Sequence, residues 1–241
     1  MGRRDELAGL LEEALRWIGD SGDPSLALTP GVDALAAELV RTLDGAQGSD
    51  TAARHALGWL KWYQFQALPE GRRKEAALEE ALEQLTPAAI TMGLWELPAP
   101  LLPALADRAA PSLISVLEYA VAGSDPTLLS YVVDHWAHLV NATAQGHPER
   151  PHRLAVLCGA FWIRFSRTGD PRDLEESLAT GRHAVRIASE RRHLVMALSN
   201  LAAALKGRYD LTHAEADLDE AVTVGGGASR PARASRNRAR C

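Results

Sequence analysis

One ungapped shift of 44 residues lays residues 154–176 onto 198–220. Arg164 falls on Arg208, Leu154 on Leu198, Leu157 on Leu201, Phe161 on Leu205, Phe165 on Tyr209 and Thr168 on Thr212. Beyond the intervening turn, Asp173 falls on Asp217, Leu174 on Leu218, Glu175 on Asp219 and Glu176 on Glu220. A fixed period of this length marks supersecondary units that bury their apolar faces against neighbouring units. Within each copy the apolar residues recur at spacings of three and four, the period of a helix face, so the unit is a pair of helices joined by a turn.

The helical period extends beyond the repeat. Ala, Leu, Glu and Arg dominate, all good helix formers, and no alternating strand pattern interrupts them. Helices are predicted at about 4–19, 31–44, 51–67, 72–85, 98–107, 112–122, 126–144, 151–167, 171–189, 192–209 and 215–224. Asp-Pro punctuates the chain at Gly22-Asp23-Pro24, Ser124-Asp125-Pro126 and Gly169-Asp170-Pro171. An Asp oxygen can cap a helix start, Pro fits the first helical position, and Gly tolerates the left-handed end of the preceding helix. In the third of these, FSRTGDPRDLEES, Asp173 is expected to add charge at a positive helix end, and the loop reads as turn plus cap. It holds one Gly and no Lys-Ser/Thr, so it is not a phosphate loop.

The motif NLAAALKGRYDLTHAEADLDEAV (200–222) resembles the tetratricopeptide repeat, with Ala202 and Leu205 standing where that pattern has Gly and Tyr. LAVLCGAFWIRFSRTGDPRDLEES (154–177) is similar to a longer variant of actinobacterial proteins in which the repeats precede a caspase-like CHAT peptidase domain, and ALGWLKWYQFQALPEG (56–71) resembles their amino-terminal region. The resemblance implies an all-α, right-handed α-solenoid of helical hairpins. Residues 1–145 would form an irregular helical amino-terminal region, 146–224 the repeats and 225–241 a disordered Arg-rich tail. The sequence carries no CHAT catalytic elements after Val224, so the proteolytic activity of those proteins is not expected to carry over. The implied function is a non-catalytic protein–protein scaffold using the concave surface; the alternative is a regulatory subunit of a separately encoded CHAT-like peptidase or other effector enzyme. By position, Asn200 and Lys206 would face the groove, with Trp162 in the earlier copy where Lys206 stands and Val156 where Asn200 stands.

Charge refines the expected partners. The chain carries a formal −5, but 225–241 hold five Arg and no acid, so the body carries −10 and the tail +5. An acidic body argues against a broad nucleic-acid surface, leaving the tail as the one element suited to it. Two other readings of the tail stand beside that one: an unstructured end, and a changed reading frame in a GC-rich gene, consistent with 23 Arg against 3 Lys. No apolar run approaches the ~20 residues of a membrane span, and MGRRDELAGL lacks a signal peptide's apolar centre. A cytoplasmic protein is expected, with a protein or peptide partner, and a homo-oligomer as an open alternative through the uncapped last repeat.

No enzyme constellation emerges. Cys158 lies in an apolar stretch and Cys241 at the end, without a His or acidic motif beside either. His135 and His138 sit three apart on a helix, a spacing that suits either a metal or an ordinary helical face, without HExxH or an evident third ligand. His147 and His152 flank a Pro-rich connection. No cofactor, metal or catalytic residue is expected. Trp59, Trp62 and Tyr63 should cluster on one helix face, with Phe65 pointing elsewhere, as core packing or as a binding patch.

Overall fold

The computed structural model describes residues 2–43 and 50–229, and their periodic apolar stripes wind into ten α-helices with two short 3-10 turns and no strand among them. The helices are α1 (Arg3–Ser21), α2 (Pro30–Leu43), α3 (Thr51–Ala67), α4 (Arg72–Thr91), α5 (Leu102–Ala122), α6 (Pro126–Ala142), α7 (Arg150–Thr168), α8 (Pro171–Ile187), α9 (Arg191–Thr212) and α10 (Glu215–Ser229). Pro24–Leu28 and Ala99–Leu101 form the 3-10 turns. Packing separates two units: Met1–Ser115 with Asn141–Thr143, and Val116–Val140 with Ala144–Cys241. The division falls inside α5, and most of α6 groups with the repeat hairpins.

In the first unit, α1 packs on α2 and α3, and α3 pairs with α4. Leu7, Leu11, Ile18, Leu39, Leu57 and Leu60 form its core, each at most 2% exposed. Gly58 lets α3 and α4 approach closely, since a Cβ there would sit 2.5 Å from Leu85 Cγ. The buried Gln64 amide donates to the Ala27 carbonyl (3.1 Å) and to Asp33 Oδ1 (2.9 Å), tying α3 to the first 3-10 turn and α2.

In the second unit, α7 and α8 pair, α9 packs on both, and α10 packs on α9. Trp136 of α6 is 1% exposed and its indole N–H donates to the Arg153 carbonyl at 3.0 Å, so its large apolar body is buried without stranding its polar atom. The Arg150 guanidinium donates to the Val140 carbonyl at 2.8 Å near the end of α6, where carbonyls lack intrahelical partners. Arg167 does the same at the end of α5, donating to the carbonyls of Ala120 (3.3 Å), Gly123 (2.9 Å) and Val121.

All three Asp-Pro sites cap. Asp23 accepts from the Ser25 N–H (3.0 Å), Asp125 from those of Thr127 (2.9 Å) and Leu128 (3.2 Å), and Asp170 from that of Arg172 (3.0 Å). Gly22 and Gly169 are left-handed, with φ of 68° and 73°, as the preceding helix ends require.

The proline boundaries depart from expectation. The helices predicted at 98–107 and 112–122 are one, α5, running through Pro111, and the helix predicted to stop near 85 runs through Pro87 to Thr91. Each proline removes one backbone bond, but Ala88 and Ala89 after Pro87, and Ala109 and Leu113 around Pro111, are buried, and that packing holds the helix together. The tail expectation also changes: α10 continues to Ser229 through Gly225, Gly226 and Gly227, despite a helix penalty of about 1 kcal/mol for each Gly relative to Ala. Residues 230–241, the rest of the expected tail, lie outside the described residues.

Candidate functional site

The 44-residue period reappears as chemistry. Arg164 of α7 holds Asp173 of α8 through a fork, Nε to Oδ2 at 2.8 Å and Nη2 to Oδ1 at 2.6 Å. Arg208 of α9 holds Asp217 of α10 through the same two nitrogens, Nε to Oδ2 at 2.9 Å and Nη2 to Oδ1. The turns match atom for atom. Thr168 and Thr212 each donate to the carbonyl four residues back at 2.9 Å, and each hydroxyl accepts an N–H two residues on at 3.3 Å. Gly169 and His213 both take the left-handed conformation that ends the first helix, φ 73° and 54°. Asp173 stands in the first turn of α8, as expected, and is an ion-pair partner as well: it is 5% exposed and bonds Arg164 across the turn.

Both forks reach backward as well. Arg164 Nη1 donates to Asp134 Oδ1 of α6 at 2.6 Å, and Arg208 Nη1 lies 3.7 Å from Glu175 of α8. Each arginine thus links the helix that follows its own to the helix that precedes it. A cleft of about 250 Å³ opens beside the first fork, lined by Ser130, Asp134, Arg164, Thr168, Asp170 and Asp173. Its one base is already engaged by two carboxylates.

The residues singled out for partner binding lie on the same hairpins. The Asn200 amide donates to the Ala155 carbonyl of α7 at 2.8 Å and rests against Gly159, which leaves Oδ1 as its acceptor. Lys206 is exposed and pairs with Asp210 at 2.7 Å. Trp162 lies over Gly207, with its ring centroid 5.7 Å from that of Phe165. Asn200 and Trp162 therefore both pack across the α7–α9 contact, while Lys206 extends into solvent.

A second cleft, about 500 Å³, lies within the first unit between α1, α3 and the segment after α4. Trp59 and Tyr63 face it with ring centroids 5.8 Å apart. The expected aromatic cluster divides in two, because Trp62 stacks on Phe65 at 5.4 Å instead of joining Trp59 and Tyr63. Positions three and four apart are both neighbours on a helix, and the direction each side chain leans decides between them. Gly19 admits the Tyr63 hydroxyl, which would stand 2.9 Å from a Cβ there. Burial, and then the charge of Asp20, pushes the Tyr63 phenol above its ordinary value.

Cys158 and several histidines are tied into internal contacts. Burial pushes the Cys158 thiol up to about 11, and its Sγ lies 3.5 Å from Ser177 Oγ, whose own proton goes to the Cys158 carbonyl at 2.8 Å. That environment opposes the thiolate. His135 is 2% exposed and its Nδ1 meets the Tyr131 carbonyl at 2.9 Å, so it belongs to the interior of the second unit. His147 Nδ1 accepts the Glu149 N–H at 3.2 Å, and His152 faces His193 at 5.5 Å. No three His, Cys, Asp or Glu side chains converge to hold a metal ion among the described residues. Nor is any described helix long and apolar enough to cross a membrane.

No family model, no curated protein and no solved structure matches the chain.

Proposed function

We propose that this protein is a non-catalytic scaffold, a right-handed solenoid of tetratricopeptide-like hairpins that binds a protein or peptide partner through the face lined by its first helices. The observation that carries this reading is the duplicated fork. Two hairpins 44 residues apart repeat the same arginine, aspartate, threonine and left-handed turn in the same hydrogen bonds. Each arginine also reaches the helix before its own. A unit that fixes its own turn and its neighbour with one side chain is suited to building an extended array, and the curvature of such arrays makes a concave surface for recognition. Burial of Cys158 supports a binding role over nucleophilic catalysis. On this reading Lys206, Trp162 and the free acceptor of Asn200 lie along the partner surface.

The test is site-directed photo-crosslinking from position 206, with position 13 on α1 as a control. One discrete partner captured from 206, competed by unlabelled protein but not by unlabelled Lys206→Glu protein of unchanged helicity, is the expected result. Equal capture from both positions would remove the surface assignment. Substrate turnover by the purified chain would overturn the scaffold reading.

A further inference from the structure

The cleft of the first unit lies outside the repeat hairpins and has a chemistry of its own. Its volume, about 500 Å³, is that of a small-ligand pocket. Leu15, Ala56 and Met92 provide apolar lining and Trp59 and Tyr63 the aromatic wall, while Glu12, Asp20 and Glu96 bring three carboxylates against the single base Arg16. Glu12, Leu15, Arg16, Gly19 and Asp20 form one stripe of α1, roughly 12 Å long at 1.5 Å per residue.

The hydrogen bonds already made there decide which ligand charge it suits. The Trp59 indole N–H donates to His55 Nε2 at 3.1 Å, which consumes the indole donor. Three carboxylates against one guanidinium give the lining a formal charge of −2. Among the described residues Glu12, Asp20 and Glu96 form no ion pair, whereas Glu6, Glu38, Glu79 and Glu80 of the same unit each hold an Arg or Lys. Aromatic faces carry negative potential and favour a cation above them. The cleft thus combines apolar lining for a hydrocarbon stem with π faces and unneutralised carboxylates for a positive head.

We propose that this cleft binds an organic cation, an alkylguanidinium or alkylammonium group, with its stem against Leu15, Ala56 and Met92 and its head between the Trp59–Tyr63 wall and the carboxylates of Asp20, Glu12 and Glu96. The group can belong to a free amine or to an Arg or Lys side chain of a peptide. The site is independent of the scaffold reading, because it uses no residue of the repeat hairpins.

The experiment titrates the full chain with n-butylguanidinium, following the Trp59 indole N–H resonance, assigned by its loss in Trp59→Phe, with calorimetry alongside. Saturable binding is expected, weakened about tenfold in Asp20→Asn/Glu96→Gln and by a smaller factor in Glu12→Gln. These isosteric changes lie at exposed positions, and an unchanged melting temperature verifies the fold. Butyrate and n-butanol should leave the resonance unmoved. The pentapeptides Gly-Gly-Arg-Gly-Gly and Gly-Gly-Gln-Gly-Gly separate the sources: tighter binding of the first than of butylguanidinium identifies a peptide, and equal binding a free amine. An equal response to n-butanol, full affinity in the Asp20→Asn/Glu96→Gln variant, or no cation binding at millimolar concentration would overturn the assignment.

Discussion

Arg164 and Asp173 clasp each other across the α7–α8 turn through two parallel bonds, 2.8 and 2.6 Å, with side chains only 13% and 7% exposed. Planar two-point pairing of guanidinium with carboxylate is directional, so the pair fixes the angle between two helices as well as contributing energy. Removing one partner leaves the other charge buried. Arg164→Met, which strands the Asp173 carboxylate, should cost about 3 kcal/mol in urea unfolding, and Asp173→Asn less, because Arg164 keeps Asp134. The double variant should cost clearly less than the sum of the singles, because neither charge then remains unpaired. Strict additivity would mean that the two groups act independently.

The second clasp should loosen in acid. The Arg208 fork holds Asp217 below the ordinary carboxylate range, and the Arg182 fork does the same for Glu220. A depressed folded-state value means that the stabilisation is complete above the unfolded value, about 4. It is lost as pH falls through the lower folded values. Both carboxylates lie on α10, so amide exchange along α10, corrected for intrinsic rates, should rise as pH falls from about 5 to about 3, and the rise should shrink in Asp217→Asn/Glu220→Gln. An α10 exchange rate that does not change over that range would contradict this.

Much of the helix inventory is legible from periodicity and turn residues, because local spacing fixes which residues share a face. Pro87 and Pro111 mislead, since a proline announces its local cost but not the burial of Ala88, Ala89, Ala109 and Leu113 that outweighs it. The clasp is half legible. The 44-residue shift matches Arg164 with Arg208 and Asp173 with Asp217, yet nothing local says that residues nine apart on separate helices meet. Asp173 therefore reads as a helix-start charge until the turn is closed. The amino-terminal cleft is the least legible. Trp59 and Tyr63 share a helix face, but Asp20 and Glu96 are distant in sequence and look like ordinary surface acids until α1 and α4 are placed beside α3.

Gly58 should resist any side chain. An added Cβ would lie 2.5 and 2.6 Å from Leu85 Cγ and Cδ2, and 3.2 Å from its backbone nitrogen. Leu85 is fully buried, so α4 must shift or the leucine must leave its rotamer. Gly58→Ala gains about 1 kcal/mol in helix propensity but should lose more to overpacking, for a net destabilisation of about 1–2 kcal/mol. Gly9, with nothing near its Cβ position, supplies the control: Gly9→Ala should stabilise. Thermal melts of the two variants should move in opposite directions.

Cys158 should be silent toward thiol reagents in the native protein. In a Cys241→Ser background, labelling at pH 8 should follow global unfolding and stay negligible without denaturant. Burial raises the folded thiol to about 11 against an ordinary value of 9. The unfolded chain therefore releases this proton first, and the thiol's contribution to stability is full below pH 9 and declines as pH rises toward 11. Cys158→Ala should flatten that alkaline decline relative to the Cys241→Ser parent, whatever it costs at neutral pH. Rapid native labelling at pH 8 would show that the thiol is open.

The repeat also supplies a paired measurement of what a neighbouring helix contributes. Leu174 and Leu178 on α8 are 4% and 0% exposed, within a cluster completed by Leu201, Ala204 and Leu205 of α9. Their counterparts 44 residues later, Leu218 and Val222 on α10, are 41% and 68% exposed. The side chains in each pair hold the same register, so the difference measures the cover that α9 gives α8. Leu174→Ala should cost about 3 kcal/mol, the transfer term plus an unfilled cavity, while Leu218→Ala should cost about 1 kcal/mol or less. Urea unfolding at several protein concentrations makes the comparison decisive. If Leu218→Ala approaches the cost of Leu174→Ala only at high concentration, a second copy covers α10 in solution, and its outer face is an interface between chains. A cost near 3 kcal/mol at every concentration would mean that the face is already covered within one chain, contrary to the exposure found here.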